Sequence, residues 1–283
     1  MISSHLAYPS IPAERHLRAE IRKAEENLSV NDIYAWLENL DGVSASPLST
    51  PVTNTTMRTP FSEEHEVATR VYDSLLQRSE MTSTSLDILW SVLAVMPTNY
   101  TAWVYRRTVF RSLLHASRSA LECSRITRKE LVDSGALALR YSKNFQVWNH
   151  RNSVVSSYCS HVSETFGGGE VPLDERLLCD LALSADCKNY HTWSYRKWFV
   201  QRLNLLEGES GVTEMQLKND SFNNSAWCHR YFAIHNDPNF SPVLAESEKN
   251  FAHSFLKRNR CNQAAQGYLS AMENAFESPD KSV

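Results

Sequence analysis

The chain has 283 residues, 42% hydrophobic and 22% charged, with a formal net charge of −3 and a pI near 6.4. That length supports a substantial core, as one large domain or a repeat array. The slightly acidic balance argues against a broad nucleic-acid footprint, and no run approaches the roughly 20 apolar residues of a membrane span.

In chain order, residues 1–42 read as an N-terminal helical segment with a charged surface and Trp36 as an anchor. Its opening, MISSHLAYPSIPAERHL, lacks the apolar stretch of a secretory signal. Residues 43–60, VSASPLSTPVTNTTMRTP, form a Ser/Thr/Pro tract that cannot pack a core and read as a linker. Residues 61–277 read as a repeat array and 278–283 as a tail. Glycine is rare, and the apolar spacing is helical throughout, so the fold class is all-α. Leu86, Leu89, Trp90, Leu93 and Ala94 mark one helix face; Leu177, Leu178, Leu181 and Ala182 mark another. Leu244, Phe251, Ala252, Phe255 and Leu256 mark a third. The FGGGEVP stretch at 166–172 reads as a loop between repeats.

Each such helix stops a few residues before an asparagine that opens a second helix. Four times the asparagine precedes a tryptophan by four and an arginine by seven: Asn99/Trp103/Arg106, Asn144/Trp148/Arg151, Asn189/Trp193/Arg196 and Asn223/Trp227/Arg230. Asparagine is a strong N-cap, worth about 1 kcal/mol. The tryptophans share stripes with Phe110, Val155 and Val200 and read as the cement between neighbouring helices. The arginines Arg106, Arg151, Arg196 and Arg230 read as ties between the helix ends of one repeat and the next. Successive tryptophans lie 45, 45 and 34 residues apart, which suits a solenoid of α-hairpins with variable connections. RNRCNQAAQGYL keeps Asn262 in frame but has Gln266 in place of tryptophan, a degenerate fifth repeat. Cys123, Cys159, Cys179, Cys187, Cys228 and Cys261 are scattered and read as reduced, mostly buried thiols of a cytoplasmic protein. His150 and His229 read as packing residues, and Cys187 with His191 offers too few ligands for a metal.

The ordered set PTNYTAWVYRR, SKNFQVWNHRN, CKNYHTWSYRK and FNNSAWCHRY resembles four successive repeats of a protein prenyltransferase α subunit. The likeness spans roughly residues 60–275 and is nearest to the α subunit shared by protein farnesyltransferase and protein geranylgeranyltransferase type I. It implies a right-handed superhelical solenoid, a TPR-like crescent of α-hairpins around a β subunit. The heterodimer joins a prenyl group from its diphosphate to the cysteine of a C-terminal CaaX sequence. By resemblance, Lys143 reaches the diphosphate, where an ammonium suits a leaving group gaining negative charge. Tyr190 and His191 match residues near the diphosphate and isoprenoid, and Gln146 matches the residue that binds the CaaX carboxylate. Tyr100 matches a tyrosine near the peptide's exit side, and Asn189 orients the third turn. Phe145 stands where the family has tyrosine, so a phenolic donor beside the diphosphate is missing.

The resemblance places no metal in this chain: zinc belongs to the β subunit, and magnesium assists the diphosphate in the complex. The implied partners are that subunit, farnesyl or geranylgeranyl diphosphate and CaaX-ended proteins, with catalysis only in the heterodimer. Two other readings stand beside it. One is a non-catalytic helical-repeat scaffold that binds peptides, suggested by Phe145, the degenerate fifth repeat and an array of about five repeats where family members continue further. The other is the α subunit of Rab geranylgeranyltransferase.

Overall fold

The computed structural model describes residues 11–26, 35, 62–169, 171–172 and 174–276. Trp36, the 43–60 linker and the 278–283 tail lie outside the described residues. Everything regular among the described residues is helical: α1 (Ile11–Glu26), α2 (Glu63–Arg78), α3 (Ser83–Val95), α4 (Tyr100–Ala116), α5 (Ala120–Arg140), α6 (Phe145–Phe166), α7 (Glu175–Ala185), α8 (Tyr190–Leu203), α9 (Glu209–Asn219), α10 (Asn224–His235), α11 (Pro242–Arg258) and α12 (Gln263–Glu273). A 3-10 turn, Asn274–Phe276, follows. From α3 onward the helices pair into five hairpins, α3/α4 through α11/α12. No described helix is long and apolar enough to cross a membrane.

The chain divides into two compact units, residues 15–174 and residues 175–283 with the first 14. In the 15–174 unit, α4 packs on α6, and Trp103, Trp148, Phe110 and Val155 are buried. Burying 150–250 Å² of a tryptophan contributes about 4–6 kcal/mol at 25 cal/mol per Å², so each ring is a large part of its repeat's cohesion. The first predicted face is only part of α3's burial: Ile88 and Val92 are buried as well, because α2, α4 and α5 surround it. In α1, Leu17, Ile21 and Ala24 form an i, i+4, i+7 stripe. Ile21 fits against Gly135, where an added Cβ would lie 3.4 Å from its Cδ1. Arg128 donates to Glu20 at 2.6 Å beside it. In the second unit, Trp193, Trp227, Leu217, Phe255, Tyr268 and Met272 form one core. Of the cysteines, only Cys123 and Cys179 are buried, while Cys228 and Cys261 are exposed, so the expectation of mostly buried thiols needs correction. The last two lie near helix N-termini, outside the packed stripes.

A buried ionic relay, absent from the sequence reading, joins hairpin to hairpin. Arg106 on α4 grips Glu130 on α5 with two bonds, Nε to Oε1 at 2.6 Å and Nη2 to Oε2 at 2.8 Å. Its Nη1 donates to the Leu86 carbonyl, back in its own hairpin, at 2.7 Å. His150 on α6 then donates from Nε2 to Glu130 at 2.6 Å. The second unit repeats the design. Arg196 grips Glu209 at 2.7 and 2.8 Å, and His229 reaches Glu209 at 2.6 Å. Arg230 grips Glu248 at 2.7 and 2.8 Å, and the Tyr268 hydroxyl donates to it at 2.6 Å. The third hairpin holds the corresponding Tyr195–Glu175 bond at 2.8 Å. In every case the His or Tyr follows its glutamate by 20 residues. The hairpin is thus a rigid unit of constant register, and the variable spacing resides in the connections.

Burial pushes the Glu130 and Glu209 carboxyls up, but Arg106 or Arg196 and the histidine donor outweigh it and hold both below the usual range, Glu209 at about 2. Burial lowers the pKa of His150 and of His229, so each donates as neutral imidazole from Nε2. Arg106, Arg196 and Arg230 do tie one repeat to the next, as expected: Arg196 reaches the first residue of α9, whereas Arg106 and Arg230 reach buried positions inside the first helix of the next hairpin.

Arg151 makes the same backward bond that Arg106 makes to Leu86. It is fully buried on α6, and its Nη1 donates to the Leu131 carbonyl at 2.6 Å and to the Ser134 hydroxyl at 2.8 Å. Both acceptors lie on α5, so these bonds fasten the two helices of its own hairpin at mid-length. Gly135 packs beside the guanidinium, where an added Cβ would lie at an ordinary contact distance of 3.5 Å from Arg151 Nη1. Ser134 passes its own hydroxyl proton to the Glu130 carbonyl at 2.7 Å, which leaves a lone pair for the arginine.

Candidate functional site

The predicted site residues sit on the turns that join the two helices of each hairpin. Asn99, Asn144, Asn189, Asn223 and Asn262 cap α4, α6, α8, α10 and α12, each accepting a first-turn backbone N–H on its side-chain oxygen. The carbonyl two residues before the cap then accepts the indole N–H of that hairpin. Trp103 reaches Pro97 at 2.8 Å, Trp148 reaches Ser142 at 2.8 Å, Trp193 reaches Cys187 at 2.8 Å and Trp227 reaches Ser221 at 2.9 Å. Gln266, in the tryptophan position of the fifth repeat, makes the same bond to Arg260 at 2.7 Å. The degenerate repeat therefore keeps the donor while giving up the ring.

The asparagine has a second task. Its Nδ2 donates to the carbonyl of the preceding turn: Asn144 to Pro97 at 2.6 Å, Asn223 to Cys187 at 2.9 Å and Asn262 to Ser221 at 2.7 Å. Asp could cap these helices but has no proton to donate, and a Ser or Thr hydroxyl lacks the amide's separate donor and acceptor ends. The amide both caps its own helix and fastens its turn to the one before. Within each unit the turns consequently lie side by side.

Residues following the caps face outward. Tyr100, Phe145 and Tyr190 occupy the first helical position of α4, α6 and α8 and are 58%, 59% and 75% exposed. Phe222, just ahead of the Asn223 cap, is 50% exposed. Large rings held on the solvent side of rigid helix ends are a surface built for contact. In the 15–174 unit, Tyr100, Lys143, Phe145 and Gln146 come together on two neighbouring turns, with Lys143 exposed just before the cap. In the other unit, Tyr190 and His191 are adjacent, their rings 5.7 Å apart and edge-on. Asn189 is 3% exposed and committed to His191 N and Thr192 N, so it holds the turn and presents no surface. Lys188, one repeat after Lys143 in register, pairs with Asp220 at 2.7 Å. The helix N-termini add their own partial positive charge to this rim, a favourable setting for an anion. Among the described residues, no group of three or more His, Cys, Asp or Glu side chains could hold a metal ion.

These features define an all-α protein of paired-helix repeats with an aromatic and cationic rim at the hairpin turns. The sequence model of the "Protein prenyltransferase alpha subunit repeat" matches residues 83–113, 127–158 and 172–203, the first three hairpins. The "Protein farnesyltransferase/geranylgeranyltransferase type-1 subunit alpha" of Dictyostelium discoideum is 29% identical over 217 residues, covering 75% of this chain and 62% of that protein. The "Geranylgeranyl transferase type-2 subunit alpha" of Saccharomyces cerevisiae is 31% identical over 134 residues, covering 45% and 38%. The chain thus spans less than two thirds of the length of either relative. The fold matches a chain of "Candida albicans protein geranylgeranyltransferase-I complexed with GGPP" with a TM-score of 0.69 and 24% identity, over 82% of this chain and 74% of that one. The chain belongs to the protein prenyltransferase alpha subunit repeat family.

Proposed function

We propose that this chain is the α subunit of a heterodimeric protein prenyltransferase of the farnesyl/geranylgeranyl type I kind, catalytic only with its β subunit and working in the cytoplasm. The observation that carries the reading is that each unit presents exposed or partly exposed residues at its hairpin turns, Tyr100, Lys143, Phe145 and Gln146 on one and, separately, Tyr190 and His191 on the other. The extent of the similarity to the Dictyostelium type-1 subunit supports the type.

In the reaction, the substrate cysteine sulfur bonds to C1 of the prenyl group as the C1–O bond to diphosphate breaks. The thiol loses its proton and diphosphate leaves. Zinc on the β subunit would ionise the thiol, and magnesium would assist the departing diphosphate. This chain's share is electrostatic and positional. Lys143 supplies a positive charge to the diphosphate as negative charge accumulates on it. Tyr190 and His191 face the diphosphate and isoprenoid. The Gln146 amide donates to the terminal carboxylate of the CaaX peptide, and Tyr100 flanks the peptide. Phe145 contributes apolar area where a phenol would have added a donor, so Lys143 bears more of the contact.

A second reading has a specific observation behind it: the 31% identity to the yeast type-2 subunit. Co-expression with a type I β subunit and, separately, with a type II β subunit discriminates them. The first reading expects a stable one-to-one complex with the type I partner that prenylates a CaaX peptide, and Lys143→Ala cutting kcat about tenfold or more. Assembly with the type II partner alone would assign the other type, and failure to retain either would leave the helical scaffold.

A further inference from the structure

The two helices of each hairpin differ in charge. Every first helix carries at least one carboxylate: Asp87 on α3, Glu130 on α5, Asp180 on α7, Glu209 on α9 and Glu248 on α11. Among the second helices, α4, α8 and α10 carry none. On α6 there is only Glu164 in the last turn, and on α12 only Glu273 at the last position. In a chain with 32 Asp and Glu residues and a net charge of −3, the acids are kept off the second helices.

Within the 15–174 unit this leaves an acid-free face. Helices α4 and α6 pack on each other and both pack on α5, so their solvent sides turn the same way. On α6, Asn149, Asn152, Ser153 and Ser156 are half-buried at i, i+3, i+4 and i+7, a stripe of short uncharged groups that admits close approach. On α4, Arg111 is exposed, and its Nε donates to the Arg107 carbonyl one turn back at 3.3 Å.

Arg107 itself is 8% exposed, and its Nη1 is shielded from solvent with no hydrogen-bond partner. No carboxylate pairs with it among the described residues. The other buried arginines, Arg106, Arg151, Arg176, Arg196 and Arg230, all donate to acceptors within the chain. Burial lowers the Arg107 pKa, the Tyr100 phenol opposes this and Arg111 adds to it, a second cation beside the first. Its charge is also felt by His150 across on α6, which puts it at the seam of the two helices. A guanidinium that has lost most of its water and gained no acceptor is costly in the chain by itself.

We propose that the α4/α6 face of the 15–174 unit docks an acidic face of a protein partner, with Arg107 as the anchor that takes a carboxylate from it. That this partner is the β subunit rests on the proposed function; the chemistry of the partner rests on the face. A guanidinium donates in a planar fork that a carboxylate matches, and neither helix offers it an acid of its own. Arg111, at the rim, steers the encounter, whereas Arg107, nearly desolvated already, holds the complex.

In co-expression with a limiting amount of tagged type I β subunit, wild-type and variant chains compete, and mass spectrometry reads the ratio retained. Arg107→Met should be retained about thirtyfold less than wild type, with part of the loss recovered by Arg107→Lys. Arg111→Met should lose about threefold at low salt and nothing at high salt. The Arg107→Met heterodimer that does form should keep wild-type helix content and turn over CaaX peptide within about twofold of wild type. Equal retention of Arg107→Met overturns the proposal, and so does a loss accompanied by lower helix content, which would make Arg107 a folding residue. If the pair assembles but transfers no prenyl group, the function reading fails while the competition still decides the docking. If no β subunit is retained, the chain is titrated with poly-L-glutamate and with a double-stranded oligonucleotide. Tighter binding of polyglutamate, weakened in Arg107→Met, supports the acidic-protein face; preference for the oligonucleotide, or binding of neither, refutes it.

Discussion

Truncating Glu209 to alanine tests the relay where it is most completely buried. The carboxylate is fully enclosed and accepts three bonds, two from Arg196 at 2.7 and 2.8 Å and one from His229 at 2.6 Å. Breaking a buried ion pair from one side costs about 3–5 kcal/mol, because the remaining charge keeps its desolvation penalty. Arg196 retains Asp180 at 2.8 Å and the Arg176 carbonyl at 3.2 Å, which places its share near the lower end, about 3 kcal/mol. The orphaned His229 N–H adds about 1 kcal/mol. About 4 kcal/mol against a typical total of 5–15 kcal/mol is severe. At about 2–4 °C per kcal/mol it lowers Tm by roughly 8–16 °C. Circular dichroism melts and urea titrations of Glu209→Ala, Glu209→Gln and the triple variant Glu209→Met/Arg196→Met/His229→Phe provide the measurement. The glutamine variant should lose about half as much, since one acceptor survives. The triple variant should recover most of the stability, because no charge of the triad is left behind and Asp180, which loses Arg196, is partly exposed to solvent. A Glu209→Ala protein within 1 kcal/mol of wild type would refute the relay as the brace between hairpins.

The same groups set the pH response. His150 and His229 have lowered pKa values when folded, so their contribution is full above the ordinary imidazole range and fades as pH falls through it, the unfolded chain taking up protons first. Glu209, held at about 2, contributes fully above the ordinary carboxylate range and loses that contribution as pH falls toward 2. Melts should therefore lose temperature progressively from about pH 6.5 downward, and Glu209→Gln should flatten the acid limb; a profile level down to pH 4 would contradict the relay. Asn223→Asp keeps the cap oxygen but loses the Nδ2 bond to Cys187, so it should cost about 1 kcal/mol where a cap-only role predicts no loss. Gln266→Asn, too short to reach the Arg260 carbonyl, should lower stability by about 0.5–1 kcal/mol in urea titration, and no change would show that bond to be idle.

The sequence displayed the capped hairpins clearly, because Asn, Trp and Arg recur at fixed offsets along a single helix, where local geometry sets the spacing. The asparagine's second bond was not legible: it runs to the preceding turn, 36 to 47 residues away, and leaves no local signature. The glutamates were hidden for a related reason. Glu130, Glu175, Glu209 and Glu248 lie among charged residues that pattern like solvated helix faces, yet all four are buried. A signal did exist, in that each precedes by 20 residues the position two after the motif tryptophan or its Gln266 substitute. The arginine frame was legible as a recurrence but not in its partners: Arg106 sends Nη1 back to Leu86 and its other nitrogens forward to Glu130, and Arg151 sends Nη1 back to Leu131 and Ser134. Lys143, Gln146, Tyr190 and His191 stood out only through resemblance, since nothing in their periodicity separates them from ordinary helix-end residues.

The most direct measurement is the mass and activity of what this chain forms when co-expressed with a type I β subunit. A one-to-one heterodimer that converts a CaaX peptide and prenyl diphosphate into thioether and free diphosphate is the expected result, with neither subunit active alone. A chain that purifies by itself, or a heterodimer whose turnover is unchanged by Lys143→Ala, would contradict the catalytic role given to the turn rim.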